Sequence, residues 1–583
     1  MAAKKIASLI LTASLFSSAL LCGCGGSDTT DEKTSTGTGD SSVSDTADSS
    51  GLPEDGGFTT VSYEPSTDKY RTYYEIFPYS FYDSNGDGIG DLNGITEKLD
   101  YLNDGDTTTT DDLGVEGIWL MPIMPSPSYH KYNVKDYKDI DPAYGTLDDF
   151  QKLVDESHKR NINVIIDFVI NHTSRQHEWF KNAKKELKAG KTDGYAQYYH
   201  FAKNKNESGW RGLGFDDWYY EAQFDDDMPD LNLQNEAVRK EIEEAAKFWL
   251  DMGVDGFRLD AVLWYEYPDN KGSIEDLKWF YDYVESVNKD AFVVGECWEN
   301  SVTISNFYQS GVDSFFDFDE QGAQGRVATA VNKENAADYV KSIETWQKKI
   351  KEANPNAINT PFISNHDTAR SAGFLSTDSL RKMAAAMYIL SPGNAFIYYG
   401  EEIGMTGSQS DPDKRTGMYW SADDKKGYVE NIPGASNTTV PEKAVDEQEK
   451  DENSLLNFYK RVIALKNQNP EIENGDVTAV TFGDDVTNTA GYVFDSDGSK
   501  VFVLFNAGTS GAKVTVPESD FKINEVRGYA IASEKADETS EAASDDVFAV
   551  TTSKSNENAV EADEFTVEGQ EITLPPQSVI VLK

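Results

Sequence analysis

Three carboxylic acids stand out in the sequence because each one ends a short apolar run. Asp260, Glu296 and Asp367 close the runs GVDGFRLD, AFVVGE and TPFISNHD, which read as buried parallel strands. In a closed β/α barrel the C-terminal ends of all strands meet at one face, so these acids would converge on one pocket. Two opposed carboxyl groups can cleave a glycosidic bond, because one protonates the leaving oxygen and the other attacks the sugar carbon.

The neighbours of two of these acids indicate different protonation states. Arg258 and Asp260 are two residues apart on one predicted strand, so their side chains face the same side. A guanidinium favours the ionised form of a nearby carboxyl and lowers its pKa, and an ionised Asp is a competent nucleophile. Glu296 follows the apolar run 293–295, and a carboxyl against an apolar wall keeps its proton near neutral pH, as a general acid must.

Further polar residues close the predicted strands. His366 and Asp367 end one run together, and Asp167 and His172 close the run NVIIDFVINH (163–172). An Asp after a strand is often only a helix cap or a turn former. Four strand ends that carry Asp, Arg, His and Glu together instead favour one shared site.

Such a site needs a scaffold whose strands end at a common face. Helical patterns, such as those of 146–160 and 235–253, separate most of the apolar runs. Eight strands alternating with helices predict an α/β fold with a closed, parallel (β/α)8 TIM barrel. A doubly wound open sheet is the alternative, but no G-x-G-x-x-G follows the first strand. The predicted strands are 71–78, 115–121, 162–169, 254–260, 291–296, 312–317, 360–364 and 395–399.

The same patterns divide the chain into domains. The barrel is predicted to occupy 70–172 and 235–470. The aromatic-rich segment 173–234 is too long for an ordinary loop, so we interpret it as an excursion domain inserted after the third strand. Alternating β runs predict a C-terminal antiparallel β-sandwich over 471–583. The acidic, Ser- and Ala-rich stretch 530–562 is interpreted as an insertion within it.

The N-terminus has the features of a bacterial export signal. Two lysines precede an apolar stretch too short to span a membrane, which ends in Leu-Cys-Gly-Cys and resembles a lipoprotein signal; an ordinary signal peptide is the alternative. We therefore expect 1–23 to be removed, Cys24 to carry the lipid, and 24–69 to form a flexible acidic linker. The expected location is the outer face of the cytoplasmic membrane. Only Cys297 then remains to pair, so no intramolecular disulfide is expected.

The charge of the chain excludes one class of partner. The formal net charge is -48, from 101 Asp and Glu against 53 Lys and Arg. This argues against binding to nucleic acid, because the phosphate backbone would be repelled. It says little about an uncharged substrate. A soluble, exposed surface explains the acidic excess, and adaptation to high salt is the alternative.

The segment DSNGDGIGD (83–91) is a candidate metal site. It places oxygen donors at alternate positions, and hard oxygens at this spacing suit Ca²⁺. The segment starts like an EF-hand but lacks the Glu at the twelfth position, so it is not one. A plain Asp/Asn/Gly turn is the alternative. The predicted ligands are the side chains of Asp83, Asn85, Asp87 and Asp91 and the backbone carbonyl of Ile89.

Six segments in order resemble the signature regions of the α-amylase family, glycoside hydrolase family 13. The resemblance spans residues 70–470 and implies that Asp260 is the nucleophile, Glu296 the acid/base, and Asp367 the residue that grips sugar hydroxyls. The resemblance also implies that the loop 83–91 binds calcium. The segments are DFVINH, GFRLDA, GECW, FISNHD, MPDLN and GIWLMPI. The implied substrate-binding residues are Tyr132, which would stack on the sugar, and Asp167, His172, Arg258 and His366.

Departures from the family pattern narrow the expected activity. MPDLN resembles the intermediate group between oligo-1,6-glucosidases and neopullulanases, which includes bacterial lipoprotein α-amylases. Ala261 stands where many α-1,6-specific relatives have Val, and the run 131–133 reads Lys-Tyr-Asn in place of Gly-Tyr-Asp. Both favour internal cleavage of α-1,4 bonds in starch and maltooligosaccharides by a retaining mechanism. A neopullulanase-like or transglycosylating enzyme, or a non-catalytic glucan-binding lipoprotein, is the alternative. The expected partner is an α-glucan, bound by a monomer that meets the membrane only through its lipid.

Overall fold

The computed structural model describes residues 62–436, 439–533 and 558–583. The expected signal peptide, the lipid site at Cys24 and all but the last residues of the expected linker lie outside these ranges. Most of the stretch 530–562 does so too. No helix in the described ranges is long and apolar enough to cross a membrane.

The strands of the described residues form four sheets. In chain order they are β1 (Tyr73–Ile76), β2 (Gly117–Leu120), β3 (Asn163–Phe168), β4 (Phe201–Lys203), β5 (Trp210–Gly212), β6 (Trp218–Glu221), β7 (Gly256–Leu259), β8 (Phe292–Gly295), β9 (Ser314–Phe316), β10 (Ile358–Thr360), β11 (Phe396–Tyr398), β12 (Asp476–Thr481), β13 (Thr489–Ser496), β14 (Ser499–Asn506), β15 (Gly511–Thr515), β16 (Val526–Ile531), β17 (Ala559–Val560), β18 (Thr566–Glu568), β19 (Glu571–Leu574) and β20 (Ser578–Leu582).

The helices of the described residues lie mostly between the barrel strands. In chain order they are α1 (Pro78–Phe81), α2 (Leu92–Glu97), α3 (Leu99–Leu102), α4 (Leu147–His158), α5 (Glu178–Lys188), α6 (Glu236–Asp251), α7 (Asn270–Val287), α8 (Ser301–Phe307), α9 (Arg326–Asn332), α10 (Ala336–Ala353), α11 (Asp378–Ile389), α12 (Asp411–Lys414), α13 (Val445–Gln448), α14 (Leu455–Asn467) and α15 (Glu471–Asn474).

Eight strands form one parallel sheet in the order β10-β9-β8-β7-β3-β2-β1-β11. Its two outer strands approach each other through two backbone hydrogen bonds. The N–H of Asn394 donates to the carbonyl of Asn359 at 2.8 Å, and that of Phe396 donates to the carbonyl of Pro361 at 3.0 Å. These contacts bring the edges of the sheet together, and the predicted TIM barrel is confirmed.

The seventh barrel strand lies earlier than the sequence predicts. The predicted range was 360–364, whereas β10 ends at Thr360. Pro361 has no N–H to donate to a strand ladder, so the apolar residues after it belong to the loop instead. That loop carries His366 and Asp367 beyond the end of the strand.

The local sequence explains the barrel elements. Strands β1, β2, β7 and β8 are buried along their whole length, as parallel strands covered by helices on the outside must be. Helix α4 begins with a capping box, in which Thr146 and Asp149 satisfy each other's backbone N–H groups. Helix α6 is capped by Asn235, the residue before it, whose side chain accepts the N–H of Ala237.

Two further parts flank the barrel. Between β3 and α6 the chain forms α5 and a small antiparallel sheet of order β4-β6-β5, where an excursion domain was predicted. After α15 it forms two antiparallel sheets, of order β12-β13-β14-β20-β16 and β17-β15-β19-β18, as predicted for the C-terminal part. Apolar residues between these two sheets form a core of their own, which includes Phe502, Leu504, Ile572 and Leu574. The domain boundaries themselves stay predictions.

Candidate active site

The guanidinium of Arg258 joins carboxylates from three neighbouring strands. Its Nη1 donates to Asp167 Oδ1 at 2.9 Å and to Asp260 Oδ1 at 2.7 Å. Its Nη2 lies 3.3 Å from Glu296 Oε2. Asp167 lies in β3, and Asp260 and Glu296 directly follow β7 and β8, so adjacent parallel strands deliver all three to one face. The structure thus brings together four residues that the sequence singled out.

Glu296 is held by the backbone that follows Asp260. The N–H of Ala261 donates to Glu296 Oε2 at 2.9 Å, and the N–H of Val262 donates to the Glu296 carbonyl at 3.1 Å. Burial raises the pKa of Glu296 to about 7 and outweighs Arg258, which acts in the opposite direction. Near neutral pH a large fraction of Glu296 therefore holds a proton, as a general acid requires.

Asp367 is held between two cations. Its Oδ1 accepts a hydrogen bond from Arg415 Nη2 at 2.5 Å, and its Oδ2 lies 3.0 Å from His366 Nε2. Burial alone would raise the pKa of Asp367, but the charges of His366 and Arg415 outweigh burial and hold this pKa well below its usual range. The side chain is 27% exposed, so an ionised carboxylate faces the cavity.

His366 is buried between two carboxylates. Its Nδ1 lies 2.5 Å from Glu75 Oε1, on the opposite side of the ring from Asp367. Burial would lower the pKa of His366, but Asp367 and Glu75 raise it to about 9. The ring is therefore protonated near neutral pH and donates from both nitrogens. Tyr132 Oη lies 2.6 Å from Nε2 and donates to Asp167 Oδ2 at 3.0 Å, which links this group to Arg258.

The ring of Tyr132 packs between two imidazoles. It stacks on His366 at a centroid distance of 5.6 Å and on His130 at 5.9 Å. Tyr132 also lines the cavity, and its stacking on a sugar stays a prediction. Lys131 before it has a φ of 66° and an ion pair with Asp141 at 2.8 Å. This left-handed conformation favours glycine, the residue of the family pattern at this position.

His172 lines the same cavity from the end of β3. It is buried and forms an isolated strand bridge with Asp230, which lies in the MPDLN segment. Burial lowers the pKa of His172, so the ring is neutral. Its Nε2 is buried and has no hydrogen-bond partner within the described ranges. A buried, unpaired ring nitrogen at the cavity wall is suited to bind a polar group of a ligand.

The cavity that contains these groups has a volume of about 350 Å³. Two aromatic pairs stand at its rim. Trp264 and Tyr267 have ring centroids 4.4 Å apart, with Phe224 edge-on to Trp264 at 5.4 Å. Trp298 stacks on Phe318 at 5.1 Å. The rings of Phe224, Tyr267 and Trp298 are between 44% and 48% exposed, which is unusual for apolar side chains of this size.

Sequence reasoning missed several residues of the site. Glu75 could have been noticed as the one charged residue in the buried strand YYEI. Arg415 follows helix α12 and belongs to no motif, yet it binds Asp367 and also donates to the His366 carbonyl from Nε at 3.0 Å. Lys414 Nζ donates to the Asp367 carbonyl at 2.7 Å. These residues reach the site only through the tertiary fold.

The predicted calcium loop is folded by its own side chains. Asp83 accepts the N–H of Gly86 at 2.7 Å, and Asn85 accepts that of Asp87 at 2.9 Å. Asp91 caps α2 and also accepts hydrogen bonds from Ser84, whose hydroxyl lies 2.8 Å from Asp91 Oδ1. Within the described ranges no group of three or more His, Cys, Asp and Glu is placed to hold a metal. An ion here would need amide and carbonyl oxygens as well, and such all-oxygen donors fit Ca²⁺.

Comparisons with known proteins place most of the chain in one family. The family model of the α-amylase catalytic domain matches residues 75–475. Alpha-amylase 3 of Dictyoglomus thermophilum is 36% identical over 452 residues, which cover 75% of this chain and 85% of the relative. An oligo-1,6-glucosidase of Parageobacillus thermoglucosidasius is 30% identical over 492 residues, covering 70% and 84%. The solved structure of Eubacterium rectale Amy13B has a TM-score of 0.78 and 41% identity, and the match covers 89% of this chain and 97% of that one.

The family match begins in strand β1 and ends directly before β12, so it includes the barrel, the inserted segment and the residues around Arg258. This match, together with the relatives named for α-amylase and for oligo-1,6-glucosidase activity, establishes the family and the type of reaction. The chain belongs to the α-amylase family, glycoside hydrolase family 13, and is a glycoside hydrolase.

Proposed function

We propose that this protein hydrolyses internal α-1,4-glucosidic bonds of starch and maltooligosaccharides with retention of configuration. The observation that carries the proposal is the guanidinium of Arg258, which contacts both Asp260 and Glu296 at the wall of one cavity. A retaining enzyme needs a carboxylate that attacks and a protonated carboxyl that donates, about 5–5.5 Å apart. Asp260 accepts a hydrogen bond from the guanidinium, and the pKa of Glu296 is raised to about 7, so that a large fraction of it holds a proton near neutral pH.

These positions support a reaction in two displacements. Asp260 attacks the anomeric carbon while Glu296 gives its proton to the departing glycosidic oxygen, which leaves a sugar ester on Asp260. Glu296 then takes a proton from water, and the hydroxide attacks the same carbon and releases Asp260. Asp367 faces the cavity beside them and would bind sugar hydroxyls through charge-assisted hydrogen bonds, while the buried, protonated His366 holds this carboxylate in place.

The rim of the cavity supports the preference for chains over single sugars. Aromatic faces stack on the C–H faces of glucose, and each of the two pairs at the rim presents one exposed ring, Tyr267 beside Trp264 and Trp298 beside the buried Phe318. More than one sugar of a bound chain could therefore stack on an aromatic ring. Trp298→Ala should raise KM for soluble starch by about tenfold and leave kcat on maltotriose nearly unchanged, because it removes a stacking surface for the chain and no group that takes part in the chemical step.

Two other activities would use the same acids. A neopullulanase-like enzyme would release panose from pullulan, and a transglycosylating enzyme would make products longer than its substrate from maltotriose. Thin-layer chromatography of products over time from soluble starch, pullulan and maltotriose separates all three. Our proposal predicts mixed maltooligosaccharides early in the digestion of starch. Glucose as the sole early product would contradict internal cleavage.

Substitution of the two catalytic acids tests the alternative that the protein binds glucan without cleaving it. Asp260→Asn and Glu296→Gln should each reduce turnover of starch by about 10³-fold or more with little change in melting temperature. Glu299→Gln is a matched control, because Glu299 is exposed and lies three residues from the acid. If the wild type has no turnover, or if Glu296→Gln keeps it, the catalytic proposal fails.

We also propose that the loop 83–91 holds Ca²⁺. The supporting observation is its chemistry: the oxygens of Asp83, Asn85 and Asp87 fold a tight loop around their own backbone, and Ile89 offers its carbonyl. Gly86 and Gly88 have left-handed φ values of 83° and 91°, which allow the turns that such a loop needs. With Asp91, these are the ligands that the sequence predicts. A bound ion would stabilise the loop beside β1.

Finally, we propose that a lipid on Cys24 anchors the enzyme at the outer face of the cytoplasmic membrane. The support is the sequence pattern alone, since Cys24 lies outside the described ranges. A flexible linker of the length of 24–69 spans roughly 35–40 Å on average, enough to lift a barrel off the membrane. Cys24→Ser should release active enzyme into the medium with unchanged kinetics on soluble glucan. Continued retention of this variant in the membrane fraction would contradict the anchor.

A further inference from the structure

A second concave surface lies on the loop that follows Met418. Two of the cavities that Tyr428 borders are large enough to hold a ligand: one of about 760 Å³ shared with the loop 83–91, and one of about 320 Å³ shared with Tyr419. The three acids of the active site line neither cavity. We call this surface the Tyr419–Tyr428 groove; its residues are Tyr419, Ser421, Lys425, Tyr428, Glu430 and Asn431.

The two tyrosine rings of the groove are set at a steep angle. Their centroids lie 6.0 Å apart and their planes are inclined by 73°. Both side chains are half-buried, and the ammonium of the exposed Lys425 lies over the Tyr428 ring at 5.9 Å from its centroid. A flat ligand could face only one of the rings. A chain whose successive sugar rings change direction, as in a curved α-1,4-glucan, could stack on both.

The polar groups of the groove suit an uncharged, hydroxyl-rich ligand. Lys425 Nζ and Glu430 Oε1 lie 3.5 Å apart, so their charges offset each other. The amide of Asn431 and the hydroxyls of Tyr419 and Tyr428 make no hydrogen bond to the described part of the chain, which leaves them available to a ligand. The net charge of -48 disfavours anions. Aromatic faces with a few free polar groups are the usual composition of sites for neutral small molecules.

We infer that the Tyr419–Tyr428 groove binds a second stretch of α-glucan outside the active-site cavity. The choice of this polymer rests on the proposed function. A chain held here raises the local concentration of cleavable bonds at the cavity, so long substrates benefit and short ones do not. The groove thereby increases the affinity of the enzyme for the polymer and leaves the rate of the chemical step unchanged.

The test uses the full chain with Glu296→Gln, which binds glucan without digesting it, in native affinity electrophoresis through gels that contain soluble starch. Tyr419→Ala/Tyr428→Ala in this background should raise the dissociation constant for starch about tenfold, because two stacking faces are removed. Tyr428→Phe keeps the ring and should stay within about twofold. Tyr283→Ala is the matched control, since Tyr283 is a half-buried tyrosine on α7 that lines neither cavity.

Turnover gives a second, independent readout. With Glu296 intact, the double variant should keep its kcat/KM on maltotetraose and lose efficiency on soluble starch. Asn431→Ala should weaken starch binding about threefold. Because this position is exposed, the variant provides the test if the double variant does not fold. If both variants fold and starch in the gel slows them as much as it slows their parent protein, the groove does not bind glucan and the inference is wrong. If the wild type cleaves no glucan but the variants still lose starch binding, the groove stands and the proposed reaction fails.

Discussion

Ala261 and Glu296 are joined by a hydrogen bond between two barrel strands, from the Ala261 N–H to Glu296 Oε2 at 2.9 Å. Ala261 has φ 52° and ψ 39°, in the left-handed region that L-residues with a side chain rarely adopt. This conformation turns the N–H of the residue after Asp260 towards the acid. The position of Glu296 therefore depends on the backbone next to its partner carboxylate.

This relationship predicts unequal effects of two small substitutions on stability. Ala261→Val should lower the free energy of unfolding by roughly 1–3 kcal/mol, because a β-branched side chain is strained in the left-handed region. Ala261→Gly should leave it within about 1 kcal/mol of the wild type, because glycine adopts this conformation freely. Urea unfolding of both variants measures the difference. Equal losses in the two variants would show that the backbone at Ala261 stores no strain.

The pH dependence of activity should report the protonation of Glu296. Its pKa is raised to about 7, so the acid holds its proton below this value and loses it as the pH rises through it. We therefore expect kcat/KM on maltotetraose to fall on the alkaline side with a midpoint near 7. Glu299→Gln should show the same profile. If kcat/KM instead fell with a midpoint near pH 9, the essential proton would belong to His366, whose pKa is raised to about 9.

Arg415 should act on the reaction through Asp367. Removing its charge takes away one of the cations that hold the pKa of Asp367 low, and frees the carboxylate to move. Arg415→Gln should lower kcat by about 10–100-fold, because small displacements of a binding group are costly in the transition state. Arg415→Lys keeps the charge and should fall between this variant and the wild type. Steady-state kinetics with wild-type kcat for Arg415→Gln would contradict this role.

Calcium should stabilise the folded state by binding it alone. A chelator in excess should lower the melting temperature of the wild type, and Asp87→Ala should lower it without chelator and abolish the chelator's effect. Asp106→Ala is the matched control, because Asp106 is also exposed and also accepts the N–H of the residue two places along the chain. Metal analysis of the purified protein shows whether an ion is present. A protein with no bound calcium and no response to added calcium would contradict the site.

The sequence predicted most of the barrel because its signals are local. Apolar runs that end in Asp260 and Glu296 mark both the strand and the face to which its end points, and adjacent strands then bring them together. The exception at β10 has a local cause too. The apolar residues after Pro361 look like a strand, but proline ends the ladder.

The site residues that the sequence did not predict, Glu75 and Arg415, are placed by long-range contacts. Glu75 meets His366 across 291 positions of sequence. The reason is that β1 pairs with β11, and barrel closure places β11 beside β10 and the loop after it, which carries His366. Arg415 lies in no strand and reaches Asp367 from a loop that follows β11. Contacts of this kind depend on how the barrel closes and how its loops fold back, and no spacing within the chain encodes them.

The configuration of the first product tests the central claim most directly. Proton NMR of a starch or maltotetraose digest, recorded before mutarotation, reads the anomeric signal of the newly formed reducing end. If Asp260 attacks and water then displaces it, two inversions leave the α-anomer, and this signal should appear first and decay towards equilibrium. Initial appearance of the β-anomer would mean a single displacement by water, and would contradict the roles assigned to Asp260 and Glu296.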